Sequence, residues 1–199
     1  MATTKSNNAN KVFNTVRTAL KKDLLVGVPD SAAARKPTPG EKAEPISNAV
    51  VGYIQEHGDD EKNIPARPFL VPGVMSIQGQ ASAKLLAGIT GAFLAKSAAY
   101  DQALAQVGAM AVAAVQAKMS DGPFAPLSDR TIEARARRRN SDTGKLVGTA
   151  TARNARAFLK LRAEGTPDEV LHDAGLATPL LDTRSLFRSI TYVIRPRNT

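Results

Sequence analysis

Only two histidines, His57 and His172, could exchange a proton near neutral pH. His57 sits in a polar turn and His172 in a short helical stretch. Neither has a nucleophile beside it at a spacing that would build a nucleophile–base pair. Asp59, Asp60 and Glu61 form an acidic triplet without the ligand spacing of a Ca²⁺ loop, and read as a solvated loop tip. The glycines at 73 and 79, and at 88 and 91, lack the Lys-Ser/Thr that a phosphate-cradling loop needs. There is no cysteine, which excludes disulfides and thiolate metal sites. The expectation is a protein with no catalytic residue, no cofactor and no metal.

What the sequence offers in quantity is positive charge. The net charge is +9, and residues 128–162 hold ten Arg or Lys against three acids. Such a block predicts a polyanion nearby or acidic faces on partner subunits; the alternative is a solvated helical face. The residues expected to make such contacts are Arg130, Arg135, Arg137, Arg138, Arg139, Arg153 and Arg156. As a nucleic-acid element the run at 135–139 would bind phosphates without sequence preference and with steep salt dependence. No zinc finger or RNA-binding signature accompanies it, and no interleaved aromatics could stack bases. A DNA-facing lining, or an anchor onto an acidic ring, fits better than a sequence reader.

The elements that would carry these residues follow from spacing. The chain has 199 residues, enough for one domain with a core of its own. With aromatics at 5%, that core must rest on Ala, Val, Leu and Ile. Val12, Phe13, Val16 and Leu20 have helical spacing. Residues 24–29 read as a short strand closed by proline. Residues 31–45 hold three prolines and read as a mobile loop. Ser47 is the expected cap of a helix bearing Val50, Tyr53 and Ile54. Pro65, Pro68 and Pro72 predict a stiff extended stretch, with no helix before Gly73. Leu85, Ile89 and Phe93 mark one helical stripe, and Leu104, Val107, Ala111 and Val115 a second, with a break near 96–100. Two further helices are expected over 127–139 and 149–163. A short one with Thr166 as its cap ends at Gly175. A helical turn at 182–188 leads into an alternating strand at 189–195. The N-terminus is polar and does not read as a signal peptide, and the apolar tracts are too short to span a bilayer. The chain is expected in the cytoplasm when made.

Five short motifs stand out in order: VGVP (26–29), YIQEHG (53–58), NIPARPF (63–69), PLSDRTIEAR (126–135) and PLLDTRSLFRSITY (179–192). Their order and wording resemble the small neck and tail-completion proteins of long-tailed phages. The match runs from about residue 26 to 194. Two positions depart from the family pattern: His57 replaces an aromatic, and Arg184 replaces a glycine. A glycine would allow positive φ at that helix start, so an arginine there predicts a different turn. Residues 140–178 are longer than the pattern and read as an added helical segment.

The resemblance implies a non-enzymatic virion protein, present in the host cytoplasm during assembly. Such proteins form closed rings, with six-fold symmetry implied, at the junction of head and tail. They cap the tail tube or bridge it to the head-closure and connector proteins around the DNA channel. The proline-stiffened loop fits that role physically, because a rigid loop docks with little loss of entropy. Its expected interface residues are Ile64, Pro65, Arg67, Pro68 and Phe69. The bland alternative is that Phe69 is core and Arg67 a partner within the chain. Gly27, Gly58, Asp182, Thr183, Leu186 and Tyr192 are the expected structural positions, with Asp182 and Thr183 capping the last helix. A basic DNA-binding accessory protein of packaging or assembly is the competing reading. The fold expected is α+β: a small antiparallel sheet of residues 24–28 and 190–194, packed on long Ala-rich helices. Residues 60–73 could supply a further strand.

Overall fold

Two strands far apart in sequence close the chain on itself. In the computed structural model, which describes residues 10, 13–14, 16–17, 21–29, 31, 34, 46–94, 98–140 and 143–197, β1 (Lys22–Gly27) pairs antiparallel with β2 (Thr191–Pro196). The register sets Leu24 opposite Ile194 and Gly27 opposite Thr191. A two-stranded ribbon has little stability alone, so it must lie on something. It lies on α4 (Ala99–Asp121), where the Lys22 ammonium of β1 meets the Asp101 carboxylate.

The helices between the strands form as their sequence signals direct. In α1 (Asn48–His57) the Ser47 hydroxyl accepts from the Val50 N–H at 3.3 Å. Gly58 ends that helix at φ 82°. A Cβ there would lie 2.9 Å from the Ile64 carbonyl oxygen, so glycine is needed on both counts. α2 (Leu70–Ser76) and α3 (Gln78–Phe93) follow, with α3 packed against α4. The break expected near 96–100 falls between α3 and α4. α5 (Asp129–Arg137) and α6 (Ala150–Ala163) carry the basic part of the chain, and the short acidic α7 (Asp168–Asp173) follows. α8 (Ser185–Ser189) leads into β2. The fold is α+β, as its sequence predicts.

Apolar burial divides into two clusters. The first joins Phe69, Val115, Met119, Leu186 and Ile190, under the ribbon and around α4. The second joins Ile132, Ala136, Ala155, Phe158, Leu171 and Ala177, from α5 to the turn after α7. The stripe Leu104, Val107, Ala111 and Val115 is buried along α4 as its spacing requires.

Three expectations change. α2 begins at Leu70, before Gly73, because Pro72 falls within the first turn, where a missing N–H leaves no helical bond unmade. Thr166 does not cap α7: the cap position is Pro167 and no side-chain cap bond forms. Residues 60–73 supply no strand among the described residues; a single bridge joins Asp59 and Ile64. Of the expected N-terminal helix, Phe13 and Val16 are helical and exposed, whereas Val12 and Leu20 lie outside the described residues. So does the 31–45 loop, apart from Ser31 and Ala34. Among the described residues no helix is long and apolar enough to cross a membrane.

Gly108 shows how closely the ribbon seats. A Cβ at this position would lie 2.4 Å from a Tyr192 ring carbon. Gly108→Ala must therefore push the Tyr192 ring, and with it β2, away from α4. Overpacking of this kind costs about 1–3 kcal/mol. Chemical denaturation should show that loss, and it should shrink when Tyr192→Ala is already present. An equal loss in both backgrounds would mean that the ring is not what Gly108 accommodates.

Candidate assembly site

The NIPARPF loop is fixed at both ends by its own chain. The Asp59 and Ile64 backbones exchange two hydrogen bonds, each 2.9 Å, and Asn63 turns the chain at φ 53°. The Asp59 carboxylate accepts from the Lys62 ammonium at 2.6 Å. The acidic triplet is thus a turn tip, and no set of His, Asp and Glu suited to a metal occurs among the described residues. Beyond Ile64, the Arg67 N–H donates to the Gln55 carbonyl at 2.6 Å. Glu56 then spans the next step. Its carboxylate accepts from the N–H groups of Phe69, Leu70 and Val71 at 2.7, 2.8 and 3.0 Å. These are orphan donors at the start of α2, and an anion there also meets the positive end of the helix.

This arrangement corrects two of the five expected interface residues. Arg67 is 5% exposed, and its guanidinium donates to the Ala125 and Pro126 carbonyls at 2.9 and 3.0 Å and to the Gln55 amide oxygen at 3.3 Å. Phe69 is 1% exposed and packs in the first core with Val115 and Met119. Phe69 is spent in the core, and the Arg67 guanidinium is committed to oxygen acceptors of its own chain. Ile64 is half-buried, whereas Pro65 and Pro68 remain exposed. Arg67 instead ties the loop to the turn entering α5, so it joins the two cores. Burial pushes its guanidinium below its ordinary value.

Asp182 makes the second tie. Its carboxylate takes a two-pronged grip from Arg138, at 3.1 and 2.6 Å, and lies 3.6 Å from the Arg135 Nε. The Thr151 hydroxyl donates to the Asp182 carbonyl at 2.8 Å. Asp182 therefore binds α5 and α6 to the segment before α8, and is not the helix cap that its position in the sequence suggests. Thr183 does part of that work, its hydroxyl accepting from the Ser185 N–H at 3.3 Å. Arg184 keeps the turn that the family pattern gives to glycine, at φ 56°, so the different turn predicted for an arginine does not occur. Leu186 is buried in the first core, Tyr192 covers Gly108, and Gly27 closes β1 opposite Thr191.

The seven arginines expected to face a polyanion divide. Arg135 is 7% exposed and donates to the Thr178 carbonyl at 3.0 Å. Arg138 is held by Asp182. Arg156 donates to the Ala136 and Val147 carbonyls, each at 3.1 Å. These three are internal fasteners and not a lining, because each meets oxygen acceptors of its own chain. Arg137 is exposed and pairs with Glu133 one turn earlier on α5, and Arg139 reaches the Gly144 carbonyl. Arg130 and Arg153 are exposed.

Sequence reasoning missed the outward apolar side chains. Tyr53 and Val50 on α1 are 66% and 47% exposed, and the His57 ring stacks on Tyr53 at 4.4 Å. Val71, Val74 and Met75 lie exposed along α2, and Leu86 and Leu94 along α3 and at its end. Both outer edges of the ribbon also lack a strand partner among the described residues. Excess apolar residues on an amphipathic helix were the available signal. No family model, curated protein or solved structure matches this chain.

Burial alone would raise the Asp182 carboxyl, but the Arg138 hydrogen bonds and the Arg135 and Arg138 charges outweigh it and hold it below the ordinary value. A carboxylate lowered on folding stabilises the fold above its unfolded value. That contribution fades as the pH drops from about 4 toward the lowered native value. Asp182→Asn should therefore lose about 2 kcal/mol at neutral pH, the worth of a charged hydrogen bond. The gap from the wild type should narrow in acid. A gap that stays constant down to the acid limit would remove the carboxylate charge from the tie.

Proposed function

We propose that this chain is a structural subunit of a tailed-phage neck. It forms a closed ring at the head–tail junction, with six-fold symmetry implied by its motifs. The ring terminates or completes the tail and joins it to the head-closure and connector proteins around the DNA channel. The observation that carries this reading is the set of large apolar side chains left in solvent on three successive helices. Tyr53, Val71, Met75, Leu86 and Leu94 are each more than half exposed. Apolar side chains turned outward on successive helices are what a contact surface offers.

Three further features support the same reading. The two free ribbon edges suit strand addition by a neighbour. Pro65 and Pro68 stand on a loop already rigid in the subunit, which lowers the entropy lost on docking. The order of the motifs, from about residue 26 to 194, resembles that of the neck proteins. The subunit is read as a contact protein, made in the host cytoplasm and ending in the virion. Of the seven arginines expected to meet a polyanion, Arg130, Arg137, Arg139 and Arg153 stay exposed and are the ones that could meet genomic DNA or an acidic ring.

Size-exclusion chromatography with light scattering tests this, on the chain alone and mixed with purified tail tubes. A closed oligomer or a complex on the tube is expected. Val71→Glu combined with Met75→Glu should keep the fold, since both side chains are exposed, and abolish the assembly. A wild type that stays monomeric alone and ignores tail tubes would overturn the reading. Duplex DNA retained at low salt and released steeply as salt rises, in the absence of any oligomer, would favour the DNA-binding accessory role instead.

A further inference from the structure

Between the NIPARPF loop, α1, α5 and the turn before α8 lies an open cavity of about 600 Å³. Its charge is unbalanced. Arg67 and Arg135, each more than nine-tenths buried, both line it, and Asp182 is the one acid on its wall. That acid is already gripped by Arg138 from outside the cavity. Among the described residues Arg135 donates one hydrogen bond, to Thr178, and its Nε lies 3.6 Å from Asp182, although a guanidinium carries five N–H donors. Burial pushes Arg135 below its ordinary value, Asp182 opposes this, and the neighbouring Arg138 and Arg67 charges push it further. Two buried cations thus share a space that no described residue fills.

The cavity also holds an unmet acceptor. Asn48, 3% exposed in the first turn of α1, lines the same space, and its side-chain oxygen has no hydrogen-bond partner. A buried acceptor left unpaired costs about 1–3 kcal/mol, so a partner is expected when the site is in use. The occupant must therefore bring negative charge for the arginines and an N–H for Asn48. A free carboxylate supplies the first only. An acidic residue within a polypeptide supplies both: its carboxylate faces the guanidinium groups and its backbone N–H faces the amide oxygen.

We propose that this cavity receives an aspartate or glutamate side chain, with its flanking backbone, from another polypeptide. The inference stands independently of the virion reading, since it needs only a partner with an exposed acidic segment. The rim suits such a guest. Ser128 and Thr131 carry hydroxyls 3.0 Å apart on the α5 side, and Arg184 is exposed on the other.

The probe is N-acetyl-aspartate N-methylamide, titrated into the full chain and followed by NMR. Saturable shifts are expected at the Asn48 side-chain amide and the Arg135 Nε–H. N-acetyl-asparagine N-methylamide, which lacks the charge, and sodium propionate, which lacks the N–H, should bind at least about tenfold more weakly. Asn48→Asp places a carboxylate in the cavity without removing either arginine, and should weaken the aspartate probe by a similar factor. Equal binding of propionate would assign the site to a free small carboxylate and overturn the proposal. So would equal binding of the asparagine probe, no saturable shift at these groups, or unchanged binding in Asn48→Asp. The wild-type comparison decides the matter even if the variant does not fold. Binding by a protein that never oligomerises would leave this inference intact while removing the ring.

Discussion

The carboxylate of Asp182 is where the two halves of this protein meet. On one side stand α5 and α6, with a core built on Phe158 and Ile132. On the other stand α4, α8 and the ribbon, with a core built on Phe69 and Met119. The two buried clusters share no residue. The connection on which this account rests is ionic and directional: Asp182 to Arg138 and Arg135, and Arg67 to the carbonyls entering α5. Such ties are stringent. A partly buried carboxylate is tolerated only while its cations stay in place, and losing one partner leaves an uncompensated charge. The same turn before α8 holds Arg184 in a left-handed backbone conformation.

That use of charge changes how the basic segment is understood. The surplus over 128–162 belongs to the sequence, but part of it is spent on oxygen acceptors within the chain. Arg135 and Arg156 bind carbonyl oxygens, and Arg138 binds Asp182. Arg162 pairs with Asp129 and Asp168 across the ends of three helices, and these carboxylates hold its guanidinium above its ordinary value. Arginine suits this work because its planar fork satisfies several oxygens from one position. Lysine, a single point charge, could not bridge Ala125, Pro126 and Gln55 as Arg67 does. The outward face of the segment is therefore less positive than its composition, and the apolar side chains on α1, α2 and α3 become the more prominent surface.

Much of the architecture is legible from local patterns. The Ser47 cap, the α3–α4 break, the stripe of α4 and the strand character of residues 24–28 and 190–194 all depend on nearest neighbours or simple periodicity. The start of α2 departs from expectation because proline reads as a helix breaker, although in a first turn it breaks no bond. What the sequence does not disclose is partnership at long range. Arg67 and Phe69 have the types common at interfaces, but the same types serve a core equally well. Only the positions of Ala125, Pro126 and Val115 decide between them. Asp182 precedes a helix and so resembles a cap, yet Arg138 lies 44 residues away in sequence. Glu56 reads as part of a polar turn, whereas in the fold it holds the start of α2. Asn48 carries no signal in sequence, because an unmet acceptor exists only relative to the walls around it.

Native-state hydrogen exchange tests most directly whether these ionic ties make one protein of two cores. If Asp182 and Arg67 couple them, the slowest amides of α4 and of α6 should exchange through a single global opening and share one free energy. Exchange of the α6 amides through a separate opening, at a clearly lower free energy than those of α4, would contradict the account.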